Sequence, residues 1–230
     1  MDRLHRIRKL MGDAAVADLQ NACVMVVGCG AVGSFSIEAL ARSGVGHLIL
    51  IDADTVEESN INRQLFALTS TVGMPKIDVA SARVHDINPE IHVDTIQTFY
   101  DENTQLDVRP DYIIDAIDTV PSKIALVRFA QSNNIPIISS MGAARKTDLT
   151  AIRIARLSRT SVCPLAARMR KLVRESGLDD YDVVFSTQPA VPGTADGRVF
   201  GSIATVTGAF GLHMANFVIC RLAKYDIMKS

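Results

Sequence analysis

Six residues near the start of the chain, Gly28-Cys29-Gly30-Ala31-Val32-Gly33, spell G-x-G-x-x-G. Glycines at these spacings let a backbone come close to a phosphate, and a helix that begins there turns its free amides toward the anion. Alone the pattern is weak, because a glycine turn that merely packs a helix on a strand has the same letters. Its setting strengthens it. The apolar run 22–27 precedes it, helical spacing over 34–43 follows it, and the apolar run 47–51 ends at Asp52. An acid at that strand end accepts hydrogen bonds from a ribose hydroxyl. A nicotinamide-dependent oxidoreductase fits this much as well as an enzyme that splits a nucleoside triphosphate.

The following residues separate those chemistries. From Asp52 the chain reads D-x-D-x-V-x-x-S-N-x-N-R-Q, with Asp54, Ser59, Asn60, Arg63 and Gln64 at its polar positions, and then comes Val72-Gly73-Met74-Pro75-Lys76. Arg63 offers a forked donor to phosphate oxygens and Lys76 a mobile point charge. Asn60 and Gln64 can fix a nucleotide or its phosphates. Asp118 closes the run 112–117 and is placed to hold a divalent ion between phosphates. The plainer alternatives are solvated surface charge for Arg63 and Lys76 and a turn cap for Asp54.

These side chains need a scaffold. Buried strands are expected at 22–27, 47–51, 91–95, 112–117 and 135–139, and helices at 13–20, 34–43, 75–85 and 122–133. Strands alternating with helices predict an α/β fold with a doubly wound, mostly parallel Rossmann-like sheet. The texture then changes. Residues 152–157 alternate apolar and basic, which suits a half-exposed strand, 164–175 read as a basic helix, and 186–201, with Pro189, Pro192, Gly193, Gly197 and Gly201, as a long loop. The expected organisation is one domain over 1–230, with a nucleotide-binding core at 13–140 and an α+β substrate-binding extension at 141–230. With 230 residues, 48% hydrophobic and 21% charged, the chain can bury a full core, which excludes disorder, collagen and small disulfide scaffolds.

The motif from Asp52 to Gln64, with Lys76 and the Asp115-Ala116-Ile117-Asp118 run, resembles the adenylating superfamily that includes ubiquitin-activating enzymes and the sulfur-carrier adenylyltransferases of molybdopterin and thiamine synthesis. An oxidoreductase has no use for the S-N-x-N-R-Q stretch. The resemblance implies ATP in the glycine loop (Gly28, Gly30, Ala31, Gly33), Asp52 at the ribose, and Asn60, Arg63 and Lys76 at the triphosphate. It makes Asp118 the carboxylate for Mg2+, and Arg63, Lys76 and Asp118 the catalytic set. The paired CxxC zinc motifs of the sulfur-carrier branch are missing here. Instead, Ser139-Ser140-Met141-Gly142-Ala143-Ala144, residues 160–166 (TSVCPLA) and Val184-Phe185-Ser186-Thr187 resemble the tRNA threonylcarbamoyladenosine dehydratase family. That family uses ATP to activate the threonyl carboxylate of the modified adenosine beside the anticodon, and internal attack then closes a ring with net loss of water. The resemblance implies a cytoplasmic homodimer, an arginine such as Arg3 or Arg6 reaching the neighbouring subunit's ATP, and a cysteine-desulfurase partner. The alternative is adenylation of a ubiquitin-like sulfur carrier at its C-terminal glycine.

Charge distribution bears on the partner. The net formal charge is −1, yet residues 145–174 carry nine Lys and Arg against one acid, Asp148. Arg145, Lys146, Arg168, Arg170, Lys171 and Arg174 are the candidate contacts to tRNA phosphates, with no reason to expect DNA. A protein carrier with an acidic face, or a solvated helix face, is the competing interpretation. Cys23, Cys29, Cys163 and Cys220 have no metal-type spacing and suit a reducing compartment; Cys163 reads as structural rather than acyl-accepting. His5, His47, His85, His92 and His213 show no ligand spacing either. The charged N-terminus has no apolar run, so no signal peptide is expected. Residues 202–222 are apolar but contain His213, Asn216 and Arg221. They read as a packing helix, buried or membrane-facing, rather than an anchor, and as a candidate dimer face.

Overall fold

The computed structural model describes residues 2–192 and 200–225. Its scaffold is one seven-stranded sheet: β1 (Cys23–Val27), β2 (His47–Ile51), β3 (His92–Ile96), β4 (Tyr112–Asp115), β5 (Ile137–Ser140), β6 (Ile152–Arg156) and β7 (Asp182–Ser186), in the spatial order β3-β2-β1-β4-β5-β7-β6. All pairings are parallel except the β6–β7 edge. The expected α/β class is therefore observed. Both extension strands join the one sheet, so the C-terminal segment shares a continuous hydrogen-bonded ladder with the N-terminal core.

The central strands are apolar on both faces because helices cover both. On one face Val24, Val26, Leu48, Leu50 and Ile114 pack under α2 (Asp13–Asn21), α3 (Gly33–Arg42), α4 (Lys76–Ile87) and α7 (Ala204–Leu222). On the other, Met25, Val27, Ile49, Ile51 and Ile113 pack under α5 (Val120–Ser132) and α6 (Pro164–Glu175). The alternation of side chains along each strand divides the two cores. Each Leu or Ile so buried stabilises the fold by roughly 1.5–3 kcal/mol.

Several boundaries differ from expectation. The fourth strand ends at Asp115, not at 117, because the next residues turn out of the sheet; Asp118 is carried by that turn. β7 was not anticipated from sequence: its five residues run straight into the proline-containing loop. Nor was α1 (His5–Met11), whose basic letters hide the anchor Leu4, buried against Gly44. Gly193 and Gly197 of the long loop lie outside the described residues.

The apolar C-terminal segment is a packing helix. α7 lays Val206, Phe210, Met214 and Val218 into the first core. It approaches α3 so closely that a Cβ on Gly211 would lie 2.3 Å from the Val32 carbonyl oxygen, and the Ser36 hydroxyl donates to the Gly211 carbonyl at 2.9 Å. Among the described residues no helix is long and apolar enough to cross a membrane, and membrane association has no support here. α7 spends most of its apolar face on its own chain and leaves Leu212 exposed. A Gly211→Val variant should lose about 2–3 kcal/mol of stability in urea denaturation, since the obstructing atoms are backbone and cannot rotate away.

Candidate active site at the switch point of the sheet

The strand order reverses between β1 and β4: chain order runs outward through β2 and β3 on one side and through β5 on the other. Ligands of open α/β sheets bind outside the carboxyl ends of the strands at such a point. A cleft of about 610 Å3 opens there. Gly28, Gly30, Ala31, Asp52, Asp54, Arg63, Gln64, Lys76 and Asp118 all line it, so most of the residues singled out from sequence converge on one place.

The glycine loop is shaped by backbone proximity. Gly28 has a φ of +94°, and a Cβ there would lie 2.8 Å from the Ala116 carbonyl oxygen. A Cβ on Gly33 would lie 1.7 Å from the Gly28 carbonyl oxygen. These two glycines let β1, α3 and the turn after β4 touch, and Gly33 does not reach the cleft. Gly30 differs: its nearest neighbour would be Gln64 Nε2 at 3.6 Å, so the space it leaves open faces the cleft. Asp52 holds the loop from below. Its carboxylate accepts from the Cys29 amide at 2.6 Å and the Asp54 amide at 2.8 Å. Cys29 is buried, and burial, reinforced by the Asp52 charge, pushes its thiol well above the ordinary range. It is a small protonated filler.

The S-N-x-N-R-Q stretch forms a short helical turn over Glu58–Asn60. Asn60 is buried; its Oδ1 accepts from the Glu57 amide, and its Nδ2 donates to Ser59 Oγ. Ser59 in turn donates to Glu57 and offers its carbonyl to Arg63 Nη1 at 2.7 Å. Ser59 and Asn60, expected at the nucleotide, do not line the cleft themselves; their side chains bond within the turn that presents Arg63 and Gln64. Lys76, also buried, extends Nζ to Asp54 Oδ2 at 2.7 Å. Asp54 is more than a turn cap, since it holds the Lys76 ammonium at the cleft wall.

The opposite wall rests on a fully buried ion pair. Lys123 Nζ donates to Asp115 Oδ2 and to the Ile117 carbonyl, each at 2.9 Å, and both charged side chains are 0% exposed. Asp115 also accepts from the Ser139 hydroxyl at 2.6 Å and from the Ile117 amide at 3.1 Å. This network fixes the turn that carries Asp118. Just beyond, Thr119 Oγ1 and Ser122 Oγ line the cleft at the N-terminus of α5, buried and without hydrogen-bond partners among the described residues. Two such hydroxyls beside a helix N-terminus suit a polar, anionic occupant. A lone carboxylate at Asp118, next to space for phosphates, also fits Mg2+, which commonly takes one or two carboxylates together with phosphate oxygens.

Sequence reasoning missed the rim. Phe99 and Phe200, 59% and 64% exposed, both line the cleft, as do Thr98, Ser202 and Thr207. No motif marks them; strand ends and loop geometry bring them there. Ser140, Met141, Gly142, Ala143 and Ala144 also line it, and Leu165 at the start of α6 joins them. Cys163 is buried at the N-cap of α6 behind Gly142.

The basic stretch divides in the structure. Lys146 is buried and donates to the Gln188 carbonyl, and burial, with Arg145 beside it, pulls its ammonium below the usual lysine range. Arg145 Nε donates to the Val191 carbonyl at 2.7 Å, and Arg170 donates to Thr160. Of these three, expected at a nucleic-acid surface, Lys146 is buried, while Arg145 and Arg170 each spend one guanidinium nitrogen within the chain; Arg145 and Lys146 tie down the loop after β7. Arg168, Lys171 and Arg174 stay exposed at three-residue steps along α6. Acids beyond the stretch also neutralise part of it, with Asp180 and Asp182 beside Arg156 and Glu175 beside Lys171.

The sequence pattern of the family described as the ThiF family matches residues 2–230. The chain belongs to the ThiF family. Within this family it is 39% identical to the tRNA threonylcarbamoyladenosine dehydratase of Haemophilus influenzae, with 96% of this chain and 94% of that one covered. Identity to the Bacillus subtilis protein of the same name is 46%, over 79% of this chain and 73% of the relative. The Escherichia coli dehydratase TcdA, solved with AMP, superposes with a TM-score of 0.91 at 36% identity, covering 96% of this chain and 94% of that one; its ATP complex gives 0.90. This ThiF-family chain thus shares its fold with structures solved in complex with AMP and with ATP. If Gly30 is kept open for a ligand, Gly30→Ala should cost no more than ~0.5–1 kcal/mol in urea unfolding. It should weaken ATP binding about tenfold by calorimetry, equivalent to ~1.4 kcal/mol. Gly33→Ala should fail at the folding step.

Proposed function

We propose that this ThiF-family protein is an ATP-dependent tRNA threonylcarbamoyladenosine dehydratase. The observation that carries this reading is the convergence of Arg63, Gln64, Lys76 and Asp118 on one cleft whose far wall, Ser140 to Ala144 with Leu165, comes from the segments that resemble the dehydratase family.

Chemically, the cleft has to place the α-phosphate of ATP in line with a carboxylate. The glycine loop and the N-terminus of α3 take the phosphates, and Asp52 reaches the ribose while it braces the loop. Arg63 and Lys76 neutralise charge that builds up as the carboxylate oxygen bonds to phosphorus and pyrophosphate leaves. Lys76 can exchange its partner Asp54 for phosphate without crossing the cleft. Asp118 would hold Mg2+, which would supply further charge neutralisation. The acyl-adenylate then has its own carbamoyl group as nucleophile; attack on the acyl carbon expels AMP and closes the ring. An internal nucleophile needs no protein thiol, which agrees with a buried Cys163. Phe99 and Phe200 offer flat, exposed faces on which a splayed nucleobase can stack.

The division of labour we infer places nucleotide binding in 13–140 and tRNA binding in 141–230, with Arg168, Lys171 and Arg174 as phosphate contacts. We also infer a cytoplasmic homodimer; exposed Leu68, Val72 and Met74 supply apolar surface for it away from α7. Arg3 and Arg6 are exposed and do not line the cleft of their own chain, as a residue serving a neighbour's site must be. A cysteine-desulfurase partner is proposed on the family resemblance alone. Sulfur-carrier adenylation is the competing substrate class.

Incubation of the protein with ATP, Mg2+ and tRNA carrying threonylcarbamoyladenosine, followed by mild digestion and mass spectrometry, should yield a nucleoside lighter by one water. Arg63→Ala should slow its appearance about 100-fold or more. An unchanged nucleoside from wild-type protein that binds ATP would move the assignment to a protein carrier. For the surface, the triple change of Arg168, Lys171 and Arg174 to Ala should reduce the slope of log affinity against log salt by about 2–3, as three lost phosphate contacts require. Affinity for ATP should stay unchanged.

A further inference from the structure

The end of the sheet opposite the cleft carries a second cluster of chemistry-bearing side chains. His47 opens β2 and His92 opens β3, and the parallel register sets them side by side. Asp94 lies two residues along β3, on the same face as His92. His47 Nε2 is 2.8 Å from Asp94 Oδ2, and His92 Nε2 is 3.2 Å from Asp94 Oδ1. The ring centroids are 4.5 Å apart. Among the described residues this is the group of three His, Cys, Asp or Glu side chains whose ligand atoms gather within 4.8 Å of one another. The two histidines are far apart in sequence, and for that reason they showed no ligand spacing.

We propose that His47, His92 and Asp94 form a binding site for a divalent transition ion, with Zn2+ as the ion tested. The donor set is two imidazoles and one carboxylate, a combination that suits zinc and leaves a fourth position to water. The geometry is close to what the ion needs. Bonds of about 2.0–2.2 Å in a tetrahedron put ligand atoms roughly 3.3 Å apart; each imidazole already lies 2.8–3.2 Å from one oxygen of Asp94 and the three ligand atoms lie within 4.8 Å of one another, so side-chain rotation alone has to bring them to that spacing. The backbone is already fixed. The His47 amide donates to the Ala22 carbonyl and the His92 amide to the Gly46 carbonyl, so two of the ligands project from rigid strand starts rather than from a loop. The side chains of His47, His92 and Asp94 are 31%, 67% and 43% exposed, which gives an ion direct entry. Coordination through both Nε2 atoms requires the Nδ1–H tautomer of each ring, in place of the Nε2–H that a hydrogen bond to Asp94 uses. Five-residue strands separate the cluster from the cleft by roughly 13 Å, so an ion here would tie edge strand β3 to β2 without touching the nucleotide site.

The test uses the full-length protein, stripped with a chelator and titrated with Zn2+ against a chromophoric competitor. Wild type should bind one ion per chain at this site. His92→Gln and Asp94→Asn, both at exposed positions, should each weaken that binding at least tenfold, while Cys23→Ser, beside His47 on β1, should retain it. Zn2+ should raise the melting temperature of wild type and not of His92→Gln. Equal zinc binding by wild type and both variants, or no binding by wild type, would overturn the proposal. Loss of binding in Cys23→Ser would also overturn the ligand set.

Discussion

The buried pair between Asp115 and Lys123 is the constraint on which the catalytic half of the molecule depends. Two charges removed entirely from water are tolerated only when each is closely partnered, and removal of either partner from such a pair commonly costs about 3–5 kcal/mol. Here the partners come from different elements: Asp115 ends β4, Ser139 lies in β5, Lys123 in α5, and the Ile117 amide and carbonyl in the turn between them. One electrostatic requirement therefore fixes the strand, its neighbour, the helix and the turn together. The position of Asp118 follows from this requirement, as does the close approach of Ala116 to Gly28 on the other side of the switch point. Glycine loop and acidic turn are two halves of a single packed joint.

The surrounding elements serve that joint. α7 presses on the first turn of α3 through Gly211, and Asp52 clamps the loop through the Cys29 amide. Arg145, Lys146 and Gln188 bind the segment before α7 to the start of the C-terminal half, so the wall that receives substrate is braced from two directions. Ser59 and Asn60 have an equivalent task, as they shape the turn from which Arg63 projects. Several polar residues of the motif thus support those that line the cleft.

How much of this was legible in the letters depends on the kind of signal. Runs such as CVMVV and LILI are apolar at every position, which marks strands buried on both faces; with the shorter apolar runs and the apolar–basic alternation at 152–157, six of the seven strands of the core sheet could be expected, with small boundary errors. Glycine spacing and the Asp52-to-Gln64 motif marked the cleft because close backbone approach and phosphate binding restrict residue type. Other features left no local trace. Phe99 and Phe200 reach the rim only because of where loops leave the sheet. Lys146 and Arg170 look like surface charge until the chain folds over their partners Gln188 and Thr160. The Asp115–Lys123 pair was hidden, since a lysine in a helix reads as exposed unless its partner's position is known. His47 and His92 meet through strand register, a relation between distant segments that no spacing rule reports.

The charges on the two edge strands have one more consequence. β3 at one margin carries His92 and Asp94, and β6 at the other alternates Arg153 and Arg156 with apolar residues. A sheet margin is otherwise an open template for another strand. With ionic side chains along both, a further β-strand would have to strip water from them to dock, so stacking of copies into a longer sheet is disfavoured from either side. Association of copies is left to the helical and loop surfaces, and the polymerisation hazard of a wide open sheet is contained by the same few residues that close it.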